Sequence, residues 1–338
     1  MGSLATSARA APIQLPPLFG SGAGSNCSVG TNVPTQLGPD DILFDSNRCG
    51  NYEVFALSST GTVRELTRGS SYDSFWPKMS PDRKRIIFHR TPAGTHDRDY
   101  SKTSTWTMNA DGTNLREIIP VGKYGWSFQA HPEWSPDGLQ IAIAGGGTAN
   151  VQIFIADTDG NNARRVTGAG TASPQGGVNV DPSWSADGRT LLFVGCPAGI
   201  CIESSYEAFR MGVDGTSAQR LTNDGVRDQD PYLSPDGMRI AWLRNTGGGV
   251  FGGWGIFSMN QNGSAQGPVI DDGKVNSKPD WSLDGSTIYF HRAAGALPGF
   301  NLFKINAGGG TPVALLPEGF GYENEYPDAV SLPVPAGL

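Results

Sequence analysis

The chain is poor in charge. Its 338 residues hold 25 Lys and Arg against 32 Asp and Glu, 17% in all, with a net charge of −7. Such a balance leaves no basic surface for a nucleic-acid backbone, so nucleic acid is excluded as a partner. No apolar run approaches the roughly 20 residues that a helix needs to cross a bilayer, and no membrane span is expected. There is no GxSxG elbow, no glycine-rich phosphate loop and no HExxH pair, which removes the serine-hydrolase, P-loop and zinc-protease classes. Apolar residues nowhere recur with helical spacing.

Histidine and cysteine are scarce too, four of each. The cysteines fall as two local pairs, Cys27 with Cys49 and Cys196 with Cys201. Without a CxxC or a neighbouring histidine they do not read as a zinc site. Two disulfides are expected, and with them a secreted or periplasmic location.

What the chain has in abundance is glycine (47) and proline (24), which demand many turns. They fall in a repeat. PKMSPDR begins at Pro77, HPEWSPDG carries Pro132, PSWSADG begins at Pro182, PYLSPDG at Pro231, PDWSLDG at Pro279 and PDAVSLP at Pro327. The prolines stand 55, 50, 49, 48 and 48 residues apart. A period of that length marks a repeat architecture. After each SPDG-type turn comes a short apolar run, RIIFHR 85–90, QIAIAG 140–145, TLLFVG 190–195, RIAWLR 239–244 or TIYFHR 287–292. A second run, a DG-type turn and a more polar strand such as ARRVT 163–167 complete the unit.

Four short antiparallel strands per unit make a propeller blade, with the first strand innermost. Residues 40–67 read as strands two to four without a first, and 324–330 as a first strand without successors. The expected fold is therefore all-β, a six-bladed propeller over 39–334, closed by pairing the N-terminal strands (40–67) with the C-terminal strand (324–330). Closure removes the exposed edge of an open array. Residues 1–38 form an arm outside the repeat, and a monomer is expected.

In such a ring the residues ahead of each proline surround the channel mouth. One position before proline stand Trp76, His131, Asp181, Asp230, Lys278 and Tyr326; three before stand Ser74, Gln129, Asn179, Asp228, Asn276 and Asn324. A spacing of two puts both sets on one strand face. The second set is wholly polar. Two readings follow: a wide, hydrated channel, or a mouth that holds a polar ligand or a cation. Asp181 and Asp230, from adjacent blades, call for compensation, either by Lys278 or by a divalent cation such as calcium, manganese or zinc. His89 and His291, both in FHR triplets, with His131 and His96, fall on the same ring face. With Arg90, Arg292 and Tyr100 they could form a general base and a cationic clamp for an acidic substrate. The longest loop, TPAGTHDRDYSKTST 91–105, lies over that face with GGGTAN, GCPAGICIESS and NTGGGVFGG, where propellers place recognition. Tyr72, Trp76, Tyr100, Trp126 and Tyr326 could stack there on a protein or glycan.

The blade pattern over 40–330 resembles the TolB-like family of six-bladed propellers, whose units carry WSPDG, IAF, IYVMDADG and RLT in that order. The resemblance implies the fold. QAHPEWSPDG also resembles the metal-binding segment of oligogalacturonate lyases. By that likeness Gln129 and His131 would be metal ligands, joined by His89 or His291, with Arg90 or Arg292 as base. The primary expectation is a non-catalytic propeller binding a protein or an oligosaccharide or polysaccharide; the alternative is a metal-assisted lyase acting on a uronate sugar.

Overall fold

The structure is a computed structural model and describes residues 37–329, apart from 70, 97–98, 149, 169–176, 197–205, 248–252, 294–298 and 318–322. It contains six four-stranded antiparallel sheets. The first blade formed from one continuous stretch has β4 (Tyr72–Met79), β5 (Arg85–Pro92), β6 (Ser104–Asn109) and β7 (Arg116–Ile119). The next four are β8 to β11, from Phe128–Trp134 to Arg164–Arg165; β12 to β15, from Asn179–Trp184 to Gln219–Arg220; β16 to β19, from Asp228–Leu233 to Gly267–Ile270; and β20 to β23, from Asn276–Trp281 to Val313–Ala314. The sixth sheet joins the two ends of the chain. β24 (Asn324–Asp328) lies antiparallel to β1 (Ile42–Cys49), pairing Ser46 with Asn324 and Asp45 with Glu325, and β2 (Asn51–Leu57) and β3 (Val63–Glu65) complete it. The expected closure is thus present. Among the described residues the only helical turn is Tyr100–Lys102.

The repeated SPDG motif has a local cause. Its serine hydroxyl donates to the aspartate (Ser135 Oγ to Asp137 Oδ1, 2.5 Å) and accepts the N–H that opens the second strand (Gln140 N, 2.9 Å). The same pair of bonds recurs at Ser80, Ser185, Ser234 and Ser282. Glycine ends the turn because the chain there is left-handed, at φ 69° for Gly138; the first blade forces Arg83 to φ 58° instead. The apolar runs then pack blade on blade in radial wedges. Phe88, Ile86 and Met108 of one blade meet Leu43, Val54 and Ala56 of the preceding one, all buried. Burying each large side chain of this kind contributes about 1.5–3 kcal/mol.

Cys49 and Cys196 lie in the propeller, whereas Cys27, Cys201 and most of the loops at 197–205 and 248–252 lie outside the described residues.

Candidate functional site

Proline lacks an N–H and cannot sit within a regular ladder. Each inner strand answers with a β-bulge: the pairing register slips between Phe75 and Lys78, Ala130 and Glu133, Val180 and Ser183, Gln229 and Tyr232, and Ser277 and Asp280. The residue before proline is also barred from the right-handed helical region. All six such residues are left-handed, with φ from 48° at Asp230 to 55° at Asp181. Six bulky, non-glycine residues in this region imply strain of about 1–3 kcal/mol each. The surroundings hold them there. Asp45 Oδ1 accepts the Trp76 N–H (3.2 Å), His291 Nδ1 accepts that of Tyr326 (2.8 Å), and Asp181 Oδ2 that of Asp230 (3.5 Å).

The bulges aim all six side chains at the ring axis, where they touch in sequence. Tyr326 meets Trp76 edge-on (5.2 Å between centroids), and Trp76 lies 3.9 Å from the His131 ring. His131 Nδ1 pairs with Asp181, Asp181 receives the Asp230 backbone, and Asp230 Oδ1 accepts from Lys278 Nζ at 2.5 Å. Lys278 returns to the aromatics, 5.8 Å from the Tyr326 centroid and 4.8 Å from that of Trp76, and donates to His131 Nε2 (3.3 Å). His131 therefore holds its proton on Nδ1. Burial lowers its pKa, aided by Lys278 and against the pull of Asp181. Burial would raise the Asp181 carboxyl, but His131 and Lys278 hold it below the usual range; for Asp230 burial wins and its pKa is raised. The channel is thus not an open, hydrated bore at this level. It is plugged.

Above the plug is a cavity of about 80 Å³. Tyr100, Tyr206 and Trp254 supply aromatic walls, and Gln229, Ser277 and Arg227 supply polar groups. Val180, Gln229 and Ser277 stand two positions before proline, a set the sequence reasoning passed over. Of the set three before proline, only Asn276 reaches the cavity. The bulge is the reason: it breaks the alternation that would have put positions one and three on one face. The outer set instead joins blade to blade. Ser74 bonds to Glu53 (3.2 Å), Gln129 to Thr105 (2.8 Å), Asn179 to Gln152 (3.0 Å), Asn276 to the Trp254 carbonyl (2.8 Å) and Asn324 to Asn301 (3.1 Å).

The four histidines do become neighbours. His89 (5.8 Å) and His131 flank Trp76, and His291 (5.1 Å) and His96 (6.2 Å) flank Tyr326. His89 and His291 sit behind the plug, fully buried. Burial, followed by the charge of His131, lowers His89 to about 3, and burial holds His291 well below its ordinary value. His96 latches the 91–105 loop, stacked on Tyr52 at 3.5 Å with Nε2 3.1 Å from Asp45, while Asp73 accepts the N–H groups of Gly94, Thr95 and His96. Arg90 and Arg292 face away, since each follows a histidine in its strand. Arg90 donates to Ser74 and lies over Trp106; Arg292 pairs with Asp272. Tyr100 lines the cavity, Tyr72 is exposed, and Trp126 packs on Phe154.

His131, Asp181 and Asp230 present ligand atoms within 4.8 Å of one another, a set that fits a metal. Lys278 Nζ already serves that set as its cation. Below the plug a second charged cluster appears, one position after proline. Lys78 Nζ lies 3.1 Å from Asp328 and 3.5 Å from Glu133, over the Tyr232 ring at 4.5 Å. Burial raises Glu133 to about 7 and Asp328 to about 8 despite the lysine.

No family model matches the chain. A TolB homologue from Chlorobium luteolum is 30% identical over 161 residues, 47% of this chain and 32% of that protein. The matches to curated relatives cover about a third to a half of those proteins' lengths. Among solved structures, TolB from Acinetobacter baumannii superposes with a TM-score of 0.67 at 18% identity, covering 88% of this chain and 67% of the other. An oligogalacturonate lyase from Vibrio parahaemolyticus gives 0.54 at 12% identity, over 86% and 82%. By the repeat and the blade count the chain is a six-bladed propeller, similar to TolB in sequence and fold.

Proposed function

We propose that the protein is a non-catalytic binding propeller, exported to the periplasm or secreted, whose loop-rich face and channel mouth take up a protein segment or an oligosaccharide. One observation carries this reading: the charged groups of the plug pair with one another. Its lysine, histidine and two aspartates answer one another, and what remains accessible is a small cavity with aromatic walls and a few polar groups, the make-up of a recognition pocket. Tyr100, Trp76 and Tyr326 would stack on the ligand, while Gln229, Ser277 and Lys278 would orient it.

The lyase reading has the ligand set His131, Asp181 and Asp230 in its favour, together with the likeness to a lyase fold. It would need calcium, manganese or zinc to displace Lys278 and an arginine to swing in from the far strand face. Disulfides Cys27–Cys49 and Cys196–Cys201 belong to the same proposal of an exported protein. The test pairs a peptide library and a glycan panel with the wild type and Gln229→Trp, which fills the cavity. Binders lost on filling support the reading. Unsaturated product from a uronate polymer, abolished by Arg90→Gln or Arg292→Gln, would replace it with the lyase.

A further inference from the structure

The blade-to-blade belt has one exception. At five junctions the residue three before proline shares a donor–acceptor bond with the preceding blade. At the sixth the partners are Glu207, opening β14 (Glu207–Gly212), and Asp228, opening β16, and both are acids. While both are ionised, neither carboxylate can donate to the other. Both are buried, at 1% and 0% exposure. Their first oxygens are satisfied: Glu207 Oε1 accepts from Arg220 (2.7 Å) and the Gly225 N–H (3.3 Å), and Asp228 Oδ1 accepts from Trp242 Nε1 (2.9 Å). Their second oxygens, Glu207 Oε2 and Asp228 Oδ2, are closed off without a hydrogen-bond partner, while Thr222 hydrogen-bonds the Asp228 carboxyl and Arg244 Nε stands 3.7 Å from its Oδ1. Asp224, on the exposed approach to β16, completes a triad with ligand atoms within 4.8 Å of one another, and pairs with Arg244.

We infer that Glu207, Asp224 and Asp228 form a calcium site between the third and fourth repeats, outside the channel. Two oxygens on opposite sides of one calcium ion, each at 2.3–2.6 Å, are about 5 Å apart, which this triad matches. The donors are all hard oxygens, with no histidine or sulfur to favour zinc. Three carboxylates face two arginines, so a cation also answers the excess charge. Asp224, half-exposed, provides the entrance. The ion would do for this junction what the amide and hydroxyl donors do for the other five: tie one blade to the next. The protein would then lose part of its ring rigidity when calcium is withdrawn.

The experiment uses the full chain, stripped with a chelator, and Asp228→Asn, which restores the amide present at Asn179, Asn276 and Asn324 and should therefore fold. Calcium should raise the wild-type melting midpoint by roughly 5 °C at saturation and leave Asp228→Asn unmoved. Terbium in calcium's place should luminesce through Trp242, whose indole bonds to Asp228; the emission should be competed by calcium, lost in Asp228→Asn and kept in Asp181→Asn. A calcium shift retained in Asp228→Asn, emission lost only in Asp181→Asn, or no response from the wild type to either ion would overturn the inference. In the last case a shared proton holds the pair.

Discussion

Replacing Lys278 with methionine tests the plug by removing its only permanent cation while keeping most of its packing volume. The ammonium lies 2.5 Å from Asp230 Oδ1 and 3.3 Å from His131 Nε2, with its side chain 16% exposed. At an effective dielectric near 20 the contact with Asp230 alone is worth about 6–7 kcal/mol before desolvation is counted. Removing one partner of a buried pair costs about 3–5 kcal/mol, because the stranded charge remains. Lys278→Met should therefore melt about 5–10 °C below wild type at pH 8. The deficit should depend on pH with a definite sign. Burial already raises Asp230 against the opposing pull of Lys278, and without the lysine it rises further. A carboxyl whose folded pKa is raised adds stability below its unfolded value, near pH 4, and loses it as pH climbs through the folded value. The gap from wild type should thus narrow steadily from pH 8 to pH 5. Adding Asp230→Asn should recover most of the loss. Calorimetry across this range reads both effects. A gap that stays constant with pH, and a double variant no better than the single, would show that the lysine acts by packing and that the charge reasoning is wrong.

The lower cluster carries its own pH signature. With Asp328 raised to about 8 and Glu133 to about 7, mainly by burial, wild-type stability should decline as pH rises from about 4 to 8, and Asp328→Asn should flatten that slope in the same calorimetric series. Asn179→Leu should cost about 0.5–1.5 kcal/mol in denaturant unfolding, since the Gln152 amide oxygen of the preceding blade loses one of two donors and keeps Thr167.

Much of this architecture is written in the repeat. Six prolines at a near-constant period, with strands two to four at one end and a lone first strand at the other, fix the blade count and the closure now seen between β1 and β24. The site is only half legible. Trp76, His131, Asp181, Asp230, Lys278 and Tyr326 do converge, but simple alternation wrongly put Ser74, Gln129, Asn179, Asp228 and Asn324 beside them. The corrective signal was in the same motif. A proline repeated in an inner strand implies a bulge, and a bulge reverses which side chains share a face. Alternation was also the guide that should have separated Arg90 from His89 and Arg292 from His291, adjacent residues that look to opposite sides of one strand. Lys78, Glu133, Tyr232, Asp280 and Asp328 went unnoticed because one position after proline looked like the edge of a turn. It is a second layer of the channel, half-buried at Lys78 and Glu133. The Glu207–Asp228 pairing was beyond reach, since it joins two strands from different repeats and becomes anomalous only beside its five hydrogen-bonded counterparts.

The central claim is that the channel is sealed by a ring in which His131 passes a neutral imidazole between Lys278 and Asp181. Long-range nitrogen–proton correlation spectra of histidine-labelled protein test it most directly. The account predicts that His131 keeps its proton on Nδ1, that its pKa lies below the ordinary histidine value, and that Lys278→Met changes its signals. A His131 that carries the proton on Nε2, or that titrates with the ordinary pKa near 6.5, would contradict it.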